Sequence, residues 1–565
     1  MNSRSDMRQN LVSKIKTLGI DEKQISSEES VNNGETYRRA FGAILHIKPL
    51  PKAPSGKLRY SQIIDIINLA KELSFTIHVV SRGMNLGYGG EEPYERDAIV
   101  VNLSAFNKID NYDPALGHIR VEPGVTQEDI YKFLKTNGSQ HIHDTTGAPK
   151  SASIIGNYLD RGFGHTPMAE HPKNILNASV IIPGAKGSVP AYRVTSLDGT
   201  ILKAKDDTVV RTYTIGPDYT QLFVQSNLGV VTNVTIKLFP VTESFVAFIV
   251  PFQTKEADKV ISLCAELRKQ GTIHSASHVG NAVKTLQMIA AEHPSLIKSY
   301  NSDYISGLIK SLNLNDWTIS GGIYGTKNQV RAHVKDLKRE MSKIGLAPLF
   351  LGPKKRFCLR HLAVFLTKNK KLLERGLVSK IKLIRSLSTS VTLSRALNKL
   401  CDVKQGKPTN YFLKTIYWRN LHKLKDVNNL SPVTDKVGLI WGAPCAKFSS
   451  KNFAIITSMM EQVCYEYKME SPISVTMLNE RTMEFVLSLS YDRLNPTEEE
   501  AALKCYENIM LKAEALGFTQ YRMSTLSNSF LTKEALKLET PLITLKSHLD
   551  PCGVLSPSKY KIVSG

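Results

Sequence analysis

The chain has 565 residues, 42% hydrophobic and 22% charged, which is typical of a globular protein with more than one hydrophobic core. Lysine and arginine exceed the acidic residues by 22, and this positive charge attracts polyanions. Acidic proteins, anionic membranes, nucleic acids and phosphorylated ligands are all polyanions, and the charge alone does not decide among them. The sequence predicts no membrane-spanning helix and no export signal, because it lacks an apolar run of about 18 residues and begins with polar residues.

Short strands and helices alternate along the first 242 residues, after a polar lead-in at 1–36 that is predicted to be helical. Apolar residues at helical spacing predict a helix at 60–73, and a second helix is predicted to begin at Thr126 as N-cap and to end by Gly138. The predicted strands of this half lie at 75–80, 98–103, 118–125, 178–183, 191–196, 200–204 and 226–240. This mixture predicts an α+β fold, and no GxGxxG motif opens a helix as it does in a dinucleotide-binding fold.

The stretch SRGMNLGYGG, Ser81–Gly90, contains four glycines directly after the predicted strand FTIHVV. Glycine accepts positive φ and lets the backbone approach a ligand closely, so the stretch is a candidate phosphate cradle built from backbone N–H groups. A tight turn between two strands also explains these glycines. Residues 147–167 form a second stretch that bears glycines.

The chain from about Thr242 onward has its own strands and helices. Strands are predicted at 243–252, 316–325 and 481–491, and helices at 256–270, 328–345 and 499–517. Residues 354–426 are rich in Lys and Arg with few acids, and the run LLERGLVSKIKLIRSL within them predicts a basic amphipathic helix.

Five stretches in this order resemble the vanillyl-alcohol oxidase / p-cresol methylhydroxylase (PCMH-type FAD-binding) flavoprotein family. They are SRGMNLGYGG, VEPGVTQEDIYKFL, IIGNYLDRGFGHTP, QSNLGVVTNVTIKLFP and DPCGVLSPSKYKI. The resemblance spans nearly the whole chain and is weakest at 354–430. It implies an FAD-binding domain at 1–242, a cap domain with α+β structure at 243–515, and a tail at 516–565 that returns to the FAD-binding domain and the active site.

The resemblance also implies the residues that bind FAD, with Ser81–Gly90 around the pyrophosphate and Gly147–Gly156 as the facing wall. Asn85 and Asn227 stay open as either turn residues or flavin contacts. The expected cofactor-binding residues are Ser81, Arg82, Gly83, Met84, Asn85, Leu86, Gly87, Gly89, Gly147, Ser153, Gly156, Asn157, Gly162, Gly229, Val230 and Lys559.

Tyr88, Tyr521 and Arg522 match the residues with which phenol oxidases of this family hold the substrate phenol. A phenol titrates near pH 10 in water, and an arginine with hydroxyl donors stabilises its ionised form. The resemblance then implies that hydride leaves the para-benzylic carbon for flavin N5 and that a quinone methide forms. Alternatively, Tyr521 and Arg522 are ordinary surface residues.

Two departures from the family pattern concern the flavin. Glu170 stands where phenol oxidases of the family have an aspartate near flavin N5, so it is expected to act as a base or to orient water, unless it is a solvated loop carboxylate. His165 replaces an aromatic residue in the same loop. Met483, Glu484 and Asn85 occupy the places of the family's flavin-attaching residues, so FAD is expected to be bound without a covalent bond and at a lower potential.

The sequence therefore predicts an FAD-dependent oxidoreductase that takes hydride from a 4-substituted phenol or similar alcohol. The alternatives are a flavoenzyme for a non-phenolic or carrier-bound substrate, and a non-catalytic basic binding protein with the flavin fold. An acidic carrier protein or an anionic membrane is the expected partner of residues 354–426. Nucleic acid is not favoured, and a homodimer and the electron acceptor stay open.

Seven scattered cysteines without a CxxC pair argue against zinc and for reduced thiols in the cytoplasm.

Overall fold

The computed structural model describes residues 4–26, 42–51, 59–184, 193–196, 217–353, 370–527 and 540–561. The predicted strand at 200–204 and the first part of the basic segment, 354–369, lie outside these residues. Within them, no helix combines the length and the apolar character that a membrane span requires.

Helices and strands of the described residues are numbered in chain order. The helices are α1 Arg4–Thr17, α2 Ser61–Leu73, α3 Gln127–Thr136, α4 Ile154–Leu159, α5 Ala257–Lys269, α6 Ala282–Glu292, α7 Ser302–Ser311, α8 Lys327–Lys343, α9 Lys370–Leu377, α10 Lys382–Lys404, α11 Ser450–Glu466, α12 Pro496–Ala515 and α13 Thr540–Leu549. The strands are β1 Ile25–Ser26, β2 Leu45–Ile47, β3 Ile77–Val80, β4 Ile99–Asn102, β5 Ile109–Asp113, β6 His118–Val121, β7 His141–Ile142, β8 Ile175–Ile182, β9 Arg193–Ser196, β10 Val230–Lys237, β11 Phe239–Pro240, β12 Ser244–Phe252, β13 Ser277–Asn281, β14 Trp317–Gly325, β15 Leu349–Leu351, β16 Val437–Gly442, β17 Pro444–Lys447, β18 Ile473–Met477, β19 Thr482–Asp492 and β20 Thr519–Gln520.

Local signals explain where helix α3 begins and ends. The Thr126 side chain accepts a hydrogen bond from the Asp129 backbone N–H, and the Asp129 carboxylate accepts one from the Thr126 N–H in return. This reciprocal capping box satisfies donors that a helix start leaves free. Gly138 follows the helix at φ +58°, a conformation that glycine adopts without strain. The predicted N-cap and stop signal are both confirmed.

The described part of the first half contains two larger sheets and a two-stranded sheet of β7 with β11. Strands β1, β2, β4 and β3 form a mixed sheet in which β2–β4 and β3–β4 are parallel, and strands β5, β6, β10, β8 and β9 form an antiparallel sheet. The C-terminal tail lies beside β3, because the Ile77 N–H donates to the Val554 carbonyl at 2.7 Å and the Ser556 N–H donates to the Ile77 carbonyl at 2.9 Å. The mixed strands and helices confirm the predicted α+β class.

The second half is built on a nine-stranded antiparallel sheet in the order β15-β12-β14-β13-β18-β19-β17-β20, with β16 also paired to β19. Side chains alternate between the two faces of a strand. On one face, residues such as Phe248, Ile319 and Phe485 form a hydrophobic core with helices α5, α8, α11 and α12. The alternate residues, such as His278 and Glu484, lie on the other face and line a cavity.

The basic run at 372–387 is not one amphipathic helix as predicted. Helix α9 ends at Leu377 and helix α10 begins at Lys382, because the Ser379 side chain accepts the Ile381 N–H and stabilises a turn between them. Helix α10 continues to Lys404, and its small and apolar residues at helical spacing face the cavity. They are Ser390, Leu393, Ala396, Leu397 and Leu400.

Candidate active site

A cavity of about 920 Å³ lies between the nine-stranded sheet and the loops of the N-terminal half. This volume is in the range of sites that bind cofactors and small molecules. Its wall contains most of the predicted site residues: Ser81, Arg82, Gly83, Met84, Asn85, Leu86, Tyr88, Gly89, Gly147, Ser153, Gly156, Asn157, Gly162, Gly229, Val230, Tyr521, Arg522 and Lys559. Two predicted residues, Gly87 and Glu170, are not part of the wall.

The glycine stretch at 81–90 has backbone N–H groups without a protein acceptor at its start and a close side-chain contact near its end. Within the described part of the chain, the N–H groups of Arg82, Gly83 and Met84 donate to no protein acceptor, so they are available to an anionic ligand in the cavity. Gly87, at φ +76°, has no room for a Cβ because the Trp441 ring of strand β16 lies against it. The stretch therefore offers donors at its start and packs against strand β16 near its end.

Arg522 is the centre of a polar cluster that joins distant parts of the chain. Its Nη2 donates to Asp160 Oδ2 at 2.6 Å and to Asn85 Oδ1 at 2.5 Å. The Asn85 Nδ2 donates to the same Asp160 oxygen, and Gln225 Nε2 donates to Asp160 Oδ1 at 2.6 Å. Burial alone would lower the pKa of Arg522, but Asp160 and Tyr88 raise it above its usual value, so the guanidinium stays charged.

Tyr88 and Tyr521 adjoin this cation. The guanidinium carbon of Arg522 lies 4.3 Å from the centroid of the Tyr88 ring, a cation–π distance. Tyr521 also lines the cavity, and its ring contacts the edge of Phe163 at 6.2 Å between centroids. Burial raises the pKa of both tyrosines above the ordinary value, so both phenols are neutral hydrogen-bond donors. The structure brings together the three residues that the sequence predicted as a unit.

A carboxyl group that the sequence analysis did not assign to the chemistry lies in the cavity wall. Glu484, on strand β19, is 2% exposed, and its buried Oε2 has no hydrogen-bond partner among the residues that the structure describes. Burial raises the pKa of Glu484 to about 8, against the opposing effect of Arg522. Its neighbour Met483 points to the other face and belongs to the hydrophobic core. The sequence signal for Glu484 was that it is the single charged residue in the apolar strand TMEFVLSLS.

Glu170, the acid expected near the flavin, is held by two side-chain hydrogen bonds. Its carboxylate accepts hydrogen bonds from Lys173 Nζ at 2.7 Å and Asn479 Nδ2 at 3.1 Å, and it is outside the cavity wall. Local pairing with Lys173, three residues further along the short helical turn that follows, holds it there. The structure therefore places Glu484, and not Glu170, in the wall of the cavity, although the charge of Glu170 contributes to the raised pKa of Tyr521. The chemical role expected of Glu170 stays a prediction.

Three further polar residues, Asn85, Asn227 and His165, differ in their contacts. Asn227 donates to the Ser556 carbonyl at 2.8 Å and holds the C-terminal tail, whereas Asn85 lines the cavity. His165 makes a polar contact, because its Nδ1 lies at hydrogen-bond distance, 2.7 Å, from Nε2 of His278 in the cavity wall. Burial lowers the pKa of both histidines, for His278 to about 3, so the pair is neutral.

A family model described as an FAD-binding domain matches residues 59–189. Over 500 residues the chain is 27% identical to 1'-carboxy-chondrochloren decarboxylase of Chondromyces crocatus, with 87% of each chain covered. Over 551 residues it is 22% identical to the 4-cresol dehydrogenase [hydroxylating] flavoprotein subunit of Pseudomonas putida, covering 96% of this chain and 94% of the relative.

Solved structures agree over the whole fold. The 4-ethylphenol oxidase of Gulosibacter chungangensis, in complex with isoeugenol, superposes with a TM-score of 0.79 at 17% identity and covers 98% of both chains. Substrate-bound p-cresol methylhydroxylase superposes with a TM-score of 0.77 at 20% identity, covering 98% of this chain and 97% of the other. The cavity's free backbone donors and the matched domain agree with the ordered motifs. The chain contains an FAD-binding domain, has the fold of the p-cresol methylhydroxylase and 4-ethylphenol oxidase structures, and is an FAD-dependent oxidoreductase.

Proposed function

We propose that this enzyme oxidises a 4-substituted phenol, or a similar alcohol, at its benzylic carbon. The observation that carries the proposal is the Arg522 guanidinium 4.3 Å over the Tyr88 ring, in a cavity that Tyr521 also lines. The names of three similar proteins support it, since they are a 4-cresol dehydrogenase, a 4-ethylphenol oxidase and a p-cresol methylhydroxylase.

Arg522 and the two tyrosines bind the phenol oxygen and stabilise its ionised form in this proposal. A fixed cation and two neutral hydroxyl donors oppose the cost of holding a phenolate away from water. Bound FAD supplies a hydride acceptor at N5. Phenolate electron density favours departure of the benzylic hydride, and the substrate becomes a quinone methide to which water or another nucleophile adds.

Glu484 accepts the phenol proton in this proposal, the role of base that the sequence analysis considered for Glu170. The ionised carboxylate of Glu484 raises the pKa of both Tyr88 and Tyr521, and Glu170 also raises the pKa of Tyr521. Glu484 is the one of these two carboxyl groups that lines the cavity. A buried carboxylate with a raised pKa is a stronger base than an exposed one. The unpartnered Oε2 is available to the substrate hydroxyl.

FAD is expected to be bound without a covalent bond. At the places where relatives attach flavin, this chain has Met483 and Glu484 on strand β19 and Asn85 in the glycine stretch. The Asn85 amide is already bonded to Asp160 and Arg522. Precipitation with acid should therefore release the yellow colour into the supernatant. Flavin that stays in the pellet would contradict this prediction, and peptide mapping would then test the histidines of the cavity wall, His78, His165 and His278.

The turn between helices α9 and α10 is proposed to contact an anionic membrane. Val378 is 65% exposed and Ile381 is 58% exposed, and the exposed basic residues Arg375 and Lys380 flank them. Basic residues near an anionic surface each contribute about 1 kcal/mol, and apolar side chains add burial at the headgroup boundary. Arg385 is not part of this surface, because its guanidinium donates to the carbonyls of Ser379 and Ser311.

Changing both Arg375 and Lys380 to glutamate should abolish sedimentation with phosphatidylserine vesicles, and rising salt should weaken wild-type binding steeply because screening acts over about 8 Å at physiological salt. The matched control changes Lys335 and Lys338, exposed on helix α8, to glutamate with the same change in net charge. Equal binding by both variants would contradict the proposal, and binding only to an acidic carrier protein would replace it.

A further inference from the structure

Lys284 is a cation in the cavity wall that the proposed chemistry does not use. It lies in the first turn of helix α6 and lines the cavity. Its Nζ is 5.8 Å from the centroid of the Trp441 ring, and Trp441 in turn donates from its indole nitrogen to the Leu86 carbonyl at 3.0 Å. The cation therefore lies on the cap side of the cavity, across Trp441 from the glycine stretch 81–90.

The hydrogen bonds of Lys284 are few and long. Its Nζ is 3.5 Å from Gln287 Oε1 and 3.5 Å from Ser488 Oγ, both neutral groups. Among the residues that the structure describes, no carboxylate forms an ion pair with it. Burial lowers the pKa of Lys284 to about 8, so the side chain is still mainly protonated at neutral pH.

Lys546 shows how a buried lysine with a structural role is satisfied in this protein. Its Nζ donates to the Asp550 carboxylate at 2.7 Å and to the carbonyls of Asn227 and Leu555 at 2.8 Å each. An ammonium group has three donors, and all three are used there. Lys284 has the same donors without a charged acceptor, and it faces a cavity that a ligand can enter.

We propose that Lys284 binds a carboxylate group of the substrate, remote from the phenol that Arg522 holds. The inference rests on the proposed phenol oxidation and adds the substrate class, a phenol with an anionic side chain. One cation with two neutral neighbours matches the single charge of a carboxylate better than the double charge of a phosphate ester. Apolar residues of helices α6 and α10, such as Met288, Leu393 and Leu397, line the same cavity and can contact the carbon chain between the two ends.

The test compares 4-hydroxyphenyl alkanoates, from the acetate to the butanoate, with the corresponding amides as neutral partners of the same shape. Wild-type enzyme should show the higher kcat/KM with the acids. Lys284→Met should lower kcat/KM for the best acid about 10-fold to 100-fold, mainly through KM, as expected for loss of a hydrogen bond to a charged group. The amides should be unaffected, Lys284→Arg should retain the preference, and the exposed Lys310→Met should match wild type.

Bound FAD, measured by its absorbance, should be equal in all variants. An equal loss of activity on acids and amides, or a loss of FAD in Lys284→Met, would assign Lys284 to the fold or the flavin and overturn the proposal. If no phenol bleaches the flavin, phenol oxidation fails, and Lys284 is tested separately by calorimetric titration with 3-phenylpropanoate and its amide. Preference of wild type for the acid that Lys284→Met removes would support the carboxylate site, and its absence in wild type would overturn it.

Discussion

Replacing Arg522 with alanine should slow reduction of the flavin by a 4-alkylphenol about 10²-fold to 10³-fold, the loss typical of removing a preorganised charge stabiliser. Tyr521→Phe should lose less, because it removes one hydrogen-bond donor and leaves the cation in place. The double variant should lose less than the product of the two effects, since both groups act on one oxygen. Rapid mixing under anaerobic conditions, with flavin absorbance as the signal, measures all three rates.

Arg522 also neutralises Asp160 through a 2.6 Å ion pair, so its removal leaves a partly buried carboxylate without that ion-pair partner. Combining Arg522→Ala with Asp160→Asn restores neutrality and should recover thermal stability and FAD content without recovering the reduction rate. A recovered rate would mean that Arg522 acts only through the fold. A wild-type rate in Arg522→Ala, with any accepted substrate, would contradict phenolate binding and favour a non-phenolic substrate.

Replacing Glu484 with glutamine should lower the rate of flavin reduction about 10²-fold to 10⁴-fold at the pH optimum, the range of general base catalysis. Burial holds the pKa of Glu484 at about 8, so this carboxyl is mainly protonated below that pH and becomes a base as the pH rises through it. The wild-type rate should therefore rise through about pH 8 and level off above it. In Glu484→Gln that limb should disappear and leave only ionisation of the free phenol, near pH 10.

Glu170→Gln is the matched control, because it makes the same chemical change in a carboxylate that is bonded to Lys173 and Asn479 outside the cavity wall. Its rate and pH profile should match wild type. The opposite result, an intact limb in Glu484→Gln and a lost one in Glu170→Gln, would return the role of base to Glu170. FAD content and thermal unfolding, measured for both variants, separate a chemical effect from a folding effect.

Local patterns in the sequence were enough to predict most of the fold. The capping pair at Thr126, the stop at Gly138 and the alternation along β12, β14 and β19 depend on neighbouring residues, and their structures agree with the prediction. The ordered motifs likewise identified the cofactor and the residues that line the cavity near the glycine stretch. The helical period of the basic segment predicted one helix, but a turn at Ser379 separates helix α9 from helix α10.

The amino-acid sequence by itself determined the helical and strand periods and the flavin motifs, and its resemblance to phenol oxidases implied that Tyr88 and Arg522 act together. Only the tertiary structure decided which carboxyl groups surround that pair. Arg522 meets Asp160 across 362 residues of sequence, and Glu484 faces the cavity because helices α5, α8, α11 and α12 cover the other face of its sheet. Periodicity shows that a strand has two faces, but contacts between distant segments decide which face is covered and which one meets the ligand.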